Sequence, residues 1–246
     1  MIDIHTSPQP GSPRQAHHLL PLGAFGWYLL LGGIFCVLAT MAFAWLAKGI
    51  FADHFVAFDD GIITWLHSRW GPANDQIMLA FTTLGNAVVL GIFIALAAFG
   101  LWRAGRWIDA AGLIMASAGS GLLNELLKLT FQRVRPSLFP GPLHLTSYSF
   151  PSGHSMGSLA CYGMLAFVGI RLLHNQYGKI LLGLAATLLI LGVGLSRVYF
   201  GVHYPTDVLG GYIAGTIWLV FTIGMTQAAE WHAHWRSSAR AIKTAS

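Results

Sequence analysis

Three short stretches gather cations, histidines and an acid where a phosphate group could be handled. The first runs from Lys128 to Pro136 (KLTFQRVRP), with Arg135 just before the proline. The second is the tetrapeptide Pro151, Ser152, Gly153, His154. The third runs from Ser196 to Asp207 (SRVYFGVHYPTD) and holds Arg197 and His203. Lys128, Arg135 and Arg197 supply positive charge. Arginine presents a planar fork that matches phosphate oxygens, and lysine a point charge. Ser152 stands where a helix N-cap is expected, so the N–H groups of Gly153 and His154 point outward as an anion site. His154 and His203 can each act as acid, base or nucleophile near neutral pH. Asp207 follows His203 by four residues, a spacing that lets its carboxylate hold one ring nitrogen and turn the other toward a substrate.

Each of these residues has a plainer reading. A lysine or arginine at a helix end is more often a snorkelling anchor. Pro205 followed by Asp207 can mark only a helix start. A lone histidine is more often structural than catalytic. Glu125 lies one turn before Lys128 and either neutralises it or relays a proton; pairing is the simpler role. Ser196 can merely bond back to its own helix. The combination outweighs these readings: three cations, two histidines and an oriented acid, all at the ends of apolar segments.

Those segments define the class of protein. Hydrophobic residues make up 55% of the 246-residue chain and charged residues 9%. A soluble domain carries about 25% charged residues. Such a composition excludes an ordinary soluble enzyme and a disordered chain. The net charge of +5 comes from 14 scattered Lys and Arg with no basic run, so no nucleic-acid partner is expected. Cys36 and Cys161 both sit in apolar runs and form no disulfide or metal framework.

Six apolar segments are near the ~20 residues a bilayer core requires. They lie at about 22–47, 76–102, 109–127, 154–173, 179–196 and 207–228. The second is interrupted by Thr82, Thr83, Gly85 and Asn86, which predicts a bend. The stretch from Asp59 to Trp70 is amphipathic, with Trp65 and Trp70 suited to a membrane interface. The expected organisation is a cytoplasmic N-terminal tail over 1–21, a six-helix membrane domain over 22–228, and a polar cytoplasmic C-terminal tail over 229–246. The glycines within spans read mainly as helix-packing positions.

With the N-terminus inside, the inner segments hold Arg14, Arg103, Arg106, Arg171, Lys179, Arg236, Arg240 and Lys243, and the outer ones Lys48, Arg69, Lys128, Arg133, Arg135 and Arg197. Setting aside Lys128, Arg135 and Arg197 as chemistry leaves an inside excess. Both termini are then cytoplasmic and the three clusters share the outer face.

The clusters resemble the signature motifs of the type 2 phosphatidic acid phosphatase superfamily of membrane lipid phosphatases. Its patterns are Lys-x6-Arg-Pro, Pro-Ser-Gly-His and Ser-Arg-x5-His-x3-Asp. Lys128 to Pro136, Pro151 to His154 and Ser196 to Asp207 match at every defining residue and spacing. The resemblance covers about 22–228 and implies an all-α bundle of six transmembrane helices with an extracytoplasmic active site. It also implies roles. His203 attacks phosphorus and carries a phosphohistidine, Asp207 orients it, and His154 protonates the leaving oxygen. Lys128, Arg135, Ser152, Gly153 and Arg197 hold the phosphoryl oxygens, with Glu125, Pro136 and Ser196 in support. No metal or other cofactor is expected, because fixed cations and helix N–H groups can stabilise the transferring group and no carboxylate cluster is legible near the site. The expected partner is a lipid phosphate in the bilayer of the plasma (inner) membrane. Undecaprenyl diphosphate is the first choice of substrate, with phosphatidylglycerol phosphate or a broad range of lipid phosphates next. The chief rival from another class is a secondary transporter, but no inverted repeat is evident and the charges cluster at one face. The loop Ser137 to Phe150 is expected to shape the entrance.

Overall fold

The computed structural model of the chain describes residues 22–139 and 147–245. The expected N-terminal tail and the middle of the loop between Ser137 and Phe150 lie outside them. Among the described residues eight helices follow one another: α1 Leu22–Phe51, α2 Val56–His67, α3 Pro72–Leu84, α4 Ala87–Arg103, α5 Trp107–Phe131, α6 Gly153–Leu172, α7 Gln176–Tyr199 and α8 Pro205–Ala245. No strand occurs among the described residues, in keeping with the all-α expectation.

Five helices among the described residues are long and apolar enough to cross a bilayer, and α3 with α4 make a sixth if that bent pair is one span. The bend is 52° and falls at Gly85 and Asn86. Asn86 starts α4 by accepting a hydrogen bond from Val88 N at 2.9 Å, as an N-cap should. Helix α6 is the hub. It packs on α5, α7 and α8, while α1 lies against α8 and α3 against α7. Close approach of α6 and α8 depends on a missing side chain: a Cβ on Gly211 would sit 2.7 Å from the Ser152 carbonyl oxygen.

The short α2 is amphipathic as expected, but its buried stripe is Asp59, Ile63 and Leu66. Trp65 is exposed, as a membrane-interface residue would be. Trp70 instead turns inward and donates its indole N–H to the Tyr199 carbonyl at 2.8 Å. The last helix runs on beyond residue 228, where the sequence reading ended the final span. Helix α8 continues to Ala245. No glycine or proline interrupts 225–245, and alanines favour continuation. Glu230 in this extension takes a two-pronged hydrogen bond from Arg171, at 2.6 and 2.7 Å.

Candidate active site

Antiparallel connections bring four helix ends together. These are the C-termini of α5 and α7 and the N-termini of α6 and α8. Lys128 sits in the last turn of α5, which stops at Gln132 in a left-handed conformation with φ 48°. Arg197 is in the last turn of α7. Ser152 caps α6, its hydroxyl accepting from Ser155 N. The Ser152 N–H donates to the Asp207 carbonyl at 3.0 Å, which pins the starts of α6 and α8 to each other. The first N–H groups of a helix have no partner within it, so this end of α6 offers donors to an anion.

His203 and Asp207 meet as their spacing requires. Nδ1 of His203 lies 3.4 Å from Asp207 Oδ2, and both side chains are buried. The other ring nitrogen, Nε2, lies 3.1 Å from Arg135 Nη1. Burial pushes the imidazole down to about 4, against the raising effect of Asp207, and Arg135 and Arg197 push it the same way as burial. At neutral pH the ring is therefore uncharged and keeps a lone pair on one nitrogen.

The three cations converge but are not equally free. Lys128 Nζ is 3.5 Å from Glu125 Oε1, the pairing read from the sequence. Arg197 is 3% exposed; its Nη1 donates to Thr82 Oγ1 and its Nε has no partner. Arg135 donates to the carbonyls of Ser147 (2.8 Å), Val202 (2.7 Å) and Tyr148 (3.2 Å), and to the Ser147 hydroxyl (3.0 Å). Together with the His203 contact these occupy all of its N–H groups. Arg135 thus ties the loop before α6 to the nucleophile candidate as well as adding charge. Ser196 bonds back to the Val193 carbonyl at 2.6 Å, its plainer role. Pro136 lies in the irregular segment after α5. Gly153 must be small: a Cβ there would lie 2.8 Å from Asn124 Oδ1 and 3.8 Å from Lys128 Nζ. His154 joins Lys128, Glu125 and Gly153 in the wall of a cavity of about 520 Å³ that extends along α4 and α5 past Leu90, Ile94 and Ile114.

Sequence reasoning missed several participants. Arg133 donates to Asp207 Oδ1 at 2.6 Å and to Asp59 Oδ2 at 2.9 Å. Ser149 donates to Asp207 Oδ2, and so does Tyr204 N, at 2.9 Å. Thr206 gives Asp59 its N–H at 3.0 Å and its hydroxyl at 2.6 Å. Asn124 donates to the Pro151 carbonyl at 3.2 Å. Asp59 is therefore a second carboxylate beside Asp207, one the sequence reading did not place there, and the two stand on either side of Arg133. A signal was available for Asp59: it shares a helical stripe with Ile63 and Leu66, and an acid on an apolar stripe needs a cation. For Ser149 and Thr82 the sequence held none, since any of many hydroxyls could serve.

Comparison with known proteins adds an independent line. The sequence model described as "PAP2 superfamily" matches residues 109–231, which include all three clusters. The chain is 35% identical over 151 residues to phosphatidylglycerophosphatase B of Bacillus subtilis, covering 59% of this chain and 72% of that one. It is 34% identical over 105 residues to an undecaprenyl-diphosphatase of Sulfolobus acidocaldarius, covering 41% of this chain and 46% of that one. A crystal structure of a transmembrane PAP2 type phosphatidylglycerolphosphate phosphatase from Bacillus subtilis superposes with a TM-score of 0.72 at 30% identity, covering 78% of this chain and 96% of the other.

Proposed function

The chain belongs to the PAP2 superfamily, a family of membrane lipid phosphatases, and from that premise we propose that His203 is its nucleophile and a lipid phosphate or diphosphate its substrate. The observation that carries this reading is the pair of contacts on one buried imidazole: Asp207 at Nδ1 and a cation at Nε2. Nδ1–H donates to the carboxylate, so the Nε2 lone pair faces the cationic pocket. When substrate enters, a phosphoryl oxygen takes the Arg135 donor from Nε2. The lone pair then attacks phosphorus in line with the lipid oxygen. The phosphorus–oxygen bond breaks as His154 gives that oxygen a proton. Water next attacks the phosphohistidine, losing its proton to His154, and inorganic phosphate leaves with His203 restored. Through both steps Lys128, Arg197 and the N–H groups at the start of α6 balance the charge on the phosphoryl oxygens. His154 is assigned the acid because no carboxylate contacts its ring among the described residues, whereas Asp207 holds Nδ1 of His203.

The cavity beside the site supports a lipid as leaving group. Its apolar wall along α4 and α5 suits a hydrocarbon chain. Two substrates lead. Undecaprenyl diphosphate is the first choice of the sequence reading. Phosphatidylglycerol phosphate is favoured by the name of the relative covered to 72% of its length. The site sits at the extracytoplasmic face of the plasma membrane in this account, with both termini in the cytoplasm. Purified enzyme should release inorganic phosphate from one of these lipids well ahead of the rest of a panel of lipid phosphates and diphosphates. A protein that hydrolyses none of them overturns the reading.

A further inference from the structure

The geometry points to Asp59 and Arg133 as positioning residues for the nucleophile, acting through Asp207 rather than on the phosphate; this rests on the proposed role of His203. Arg133 spans two fully buried carboxylates, with one arm on Asp207 Oδ1 at 2.6 Å and the other on Asp59 Oδ2 at 2.9 Å. Its guanidinium also lies over the Tyr204 ring, 4.0 Å from the centroid. Ser149 N donates to the Arg133 carbonyl at 2.8 Å, while Ser149 Oγ donates to Asp207. Asp207 is thereby fixed from both oxygens, and the oxygen nearest His203 Nδ1 cannot turn away. Asp59 fixes Arg133 in turn and is itself locked by two donors from Thr206, next to Asp207 in the chain. Helix α2 is in this way wired to the reacting ring across 147 residues of sequence.

Two chemical points separate this role from phosphate binding. Both arms of Arg133 are already engaged by carboxylates, and on Asp207 the contact is to Oδ1 while His203 Nδ1 faces Oδ2. A carboxylate that orients a histidine must stay ionised inside a dry site, which requires a cation that does not leave when substrate arrives. Lys128 and Arg197 face the phosphate; Arg133 supplies that standing charge. Loss of such a supporting partner costs about 10–100-fold in related settings.

The test compares steady-state kinetics of wild type, Arg133→Gln, Arg133→Lys, Asp59→Asn and the double variant Asp59→Asn/Arg133→Gln, with thermal unfolding of each in detergent. Phosphate release by wild type reads the proposed function separately; if it releases none, that reading fails before this one is reached. Arg133→Gln should lose about 10–100-fold in kcat. Its KM and its inhibition by inorganic phosphate should stay within a few-fold of wild type. Arg133→Lys, which keeps the charge but not the fork, should recover part of kcat. Asp59→Asn should show the same split in milder form, and the double variant should be no slower than Arg133→Gln. If Arg133→Gln does not fold, Arg133→Lys and Asp59→Asn carry the same comparison. A rise in KM with weakened phosphate inhibition and kcat intact would make Arg133 a phosphate ligand and overturn the proposal. So would wild-type kcat in the folded variants, or losses in kcat that simply follow lowered melting temperature.

Discussion

Alanine at Gly153 probes the anion site with one added carbon. The Cβ would arrive 2.8 Å from Asn124 Oδ1, inside the distance real carbons keep. Asn124 cannot easily yield, because it is 5% exposed and its amide holds the Pro151 carbonyl. The start of α6 must therefore shift by a few tenths of an ångström, away from Lys128 and Asn124. Overpacking of this kind costs about 1–3 kcal/mol. Misplacement of a catalytic array by 1 Å can cost about 100-fold in rate, so a fraction of that shift predicts a loss of roughly 10-fold in kcat/KM. The protein should still purify as a folded species, since the disturbance is confined to one helix end. Gly183→Ala, which meets open space in the middle of α7, serves as the control and should match wild type. The assay is phosphate release from a lipid phosphate, with melting temperature measured beside it. Activity of Gly153→Ala within twofold of wild type would refute the claim that the α6 N-terminus closely encloses the phosphoryl group.

Three further outcomes follow from the same geometry. His203 must be neutral to attack, and burial holds it at about 4, so the acid limb of kcat/KM should lie near 4; an acid limb near 6.5 would contradict the buried assignment. The sign for stability agrees: below about 6.5 the unfolded chain takes up a proton that folded His203 refuses until about 4, so stability should decline as pH falls through that window. Turnover should persist in excess chelator with no added divalent metal, and a chelator-sensitive activity restored by Mg²⁺ would contradict the reliance on protein cations. Single cysteines at Ser147 and Ser238, in a chain lacking Cys36 and Cys161, should be labelled from opposite sides of the membrane; labelling of both from outside would overturn the topology.

Five of the six expected spans were legible because apolar length is a local property, while the second became the bent pair of α3 and α4. So were the ends of α6 and α8, where Ser152 and Pro205 mark helix starts. The pairing of His203 with Asp207 was legible because one helical turn fixes it. Contacts between distant segments were not. Arg133 looked like an ordinary charge beside Arg135, and only the arrival of α2 reveals that it bridges Asp59 and Asp207. Arg135 has partners that its fork did not announce: besides the donor facing His203, it donates to backbone carbonyls of residues 147, 148 and 202. Backbone acceptors leave no trace in side-chain identity. Helix α8 outruns the expected final span because hydropathy falls near residue 228 while helix propensity does not.

The most direct test of the account is to trap the covalent intermediate. His154→Ala, lacking the group that activates water, should accumulate phosphoenzyme when given a radiolabelled aryl phosphate whose leaving group needs no proton. After rapid quenching and proteolysis, the label should reside on the peptide carrying His203, in an acid-labile and base-stable linkage, and His203→Ala should take up none. Label on any other residue, or uptake by His203→Ala equal to that of His154→Ala, would contradict the assignment of His203 as the nucleophile.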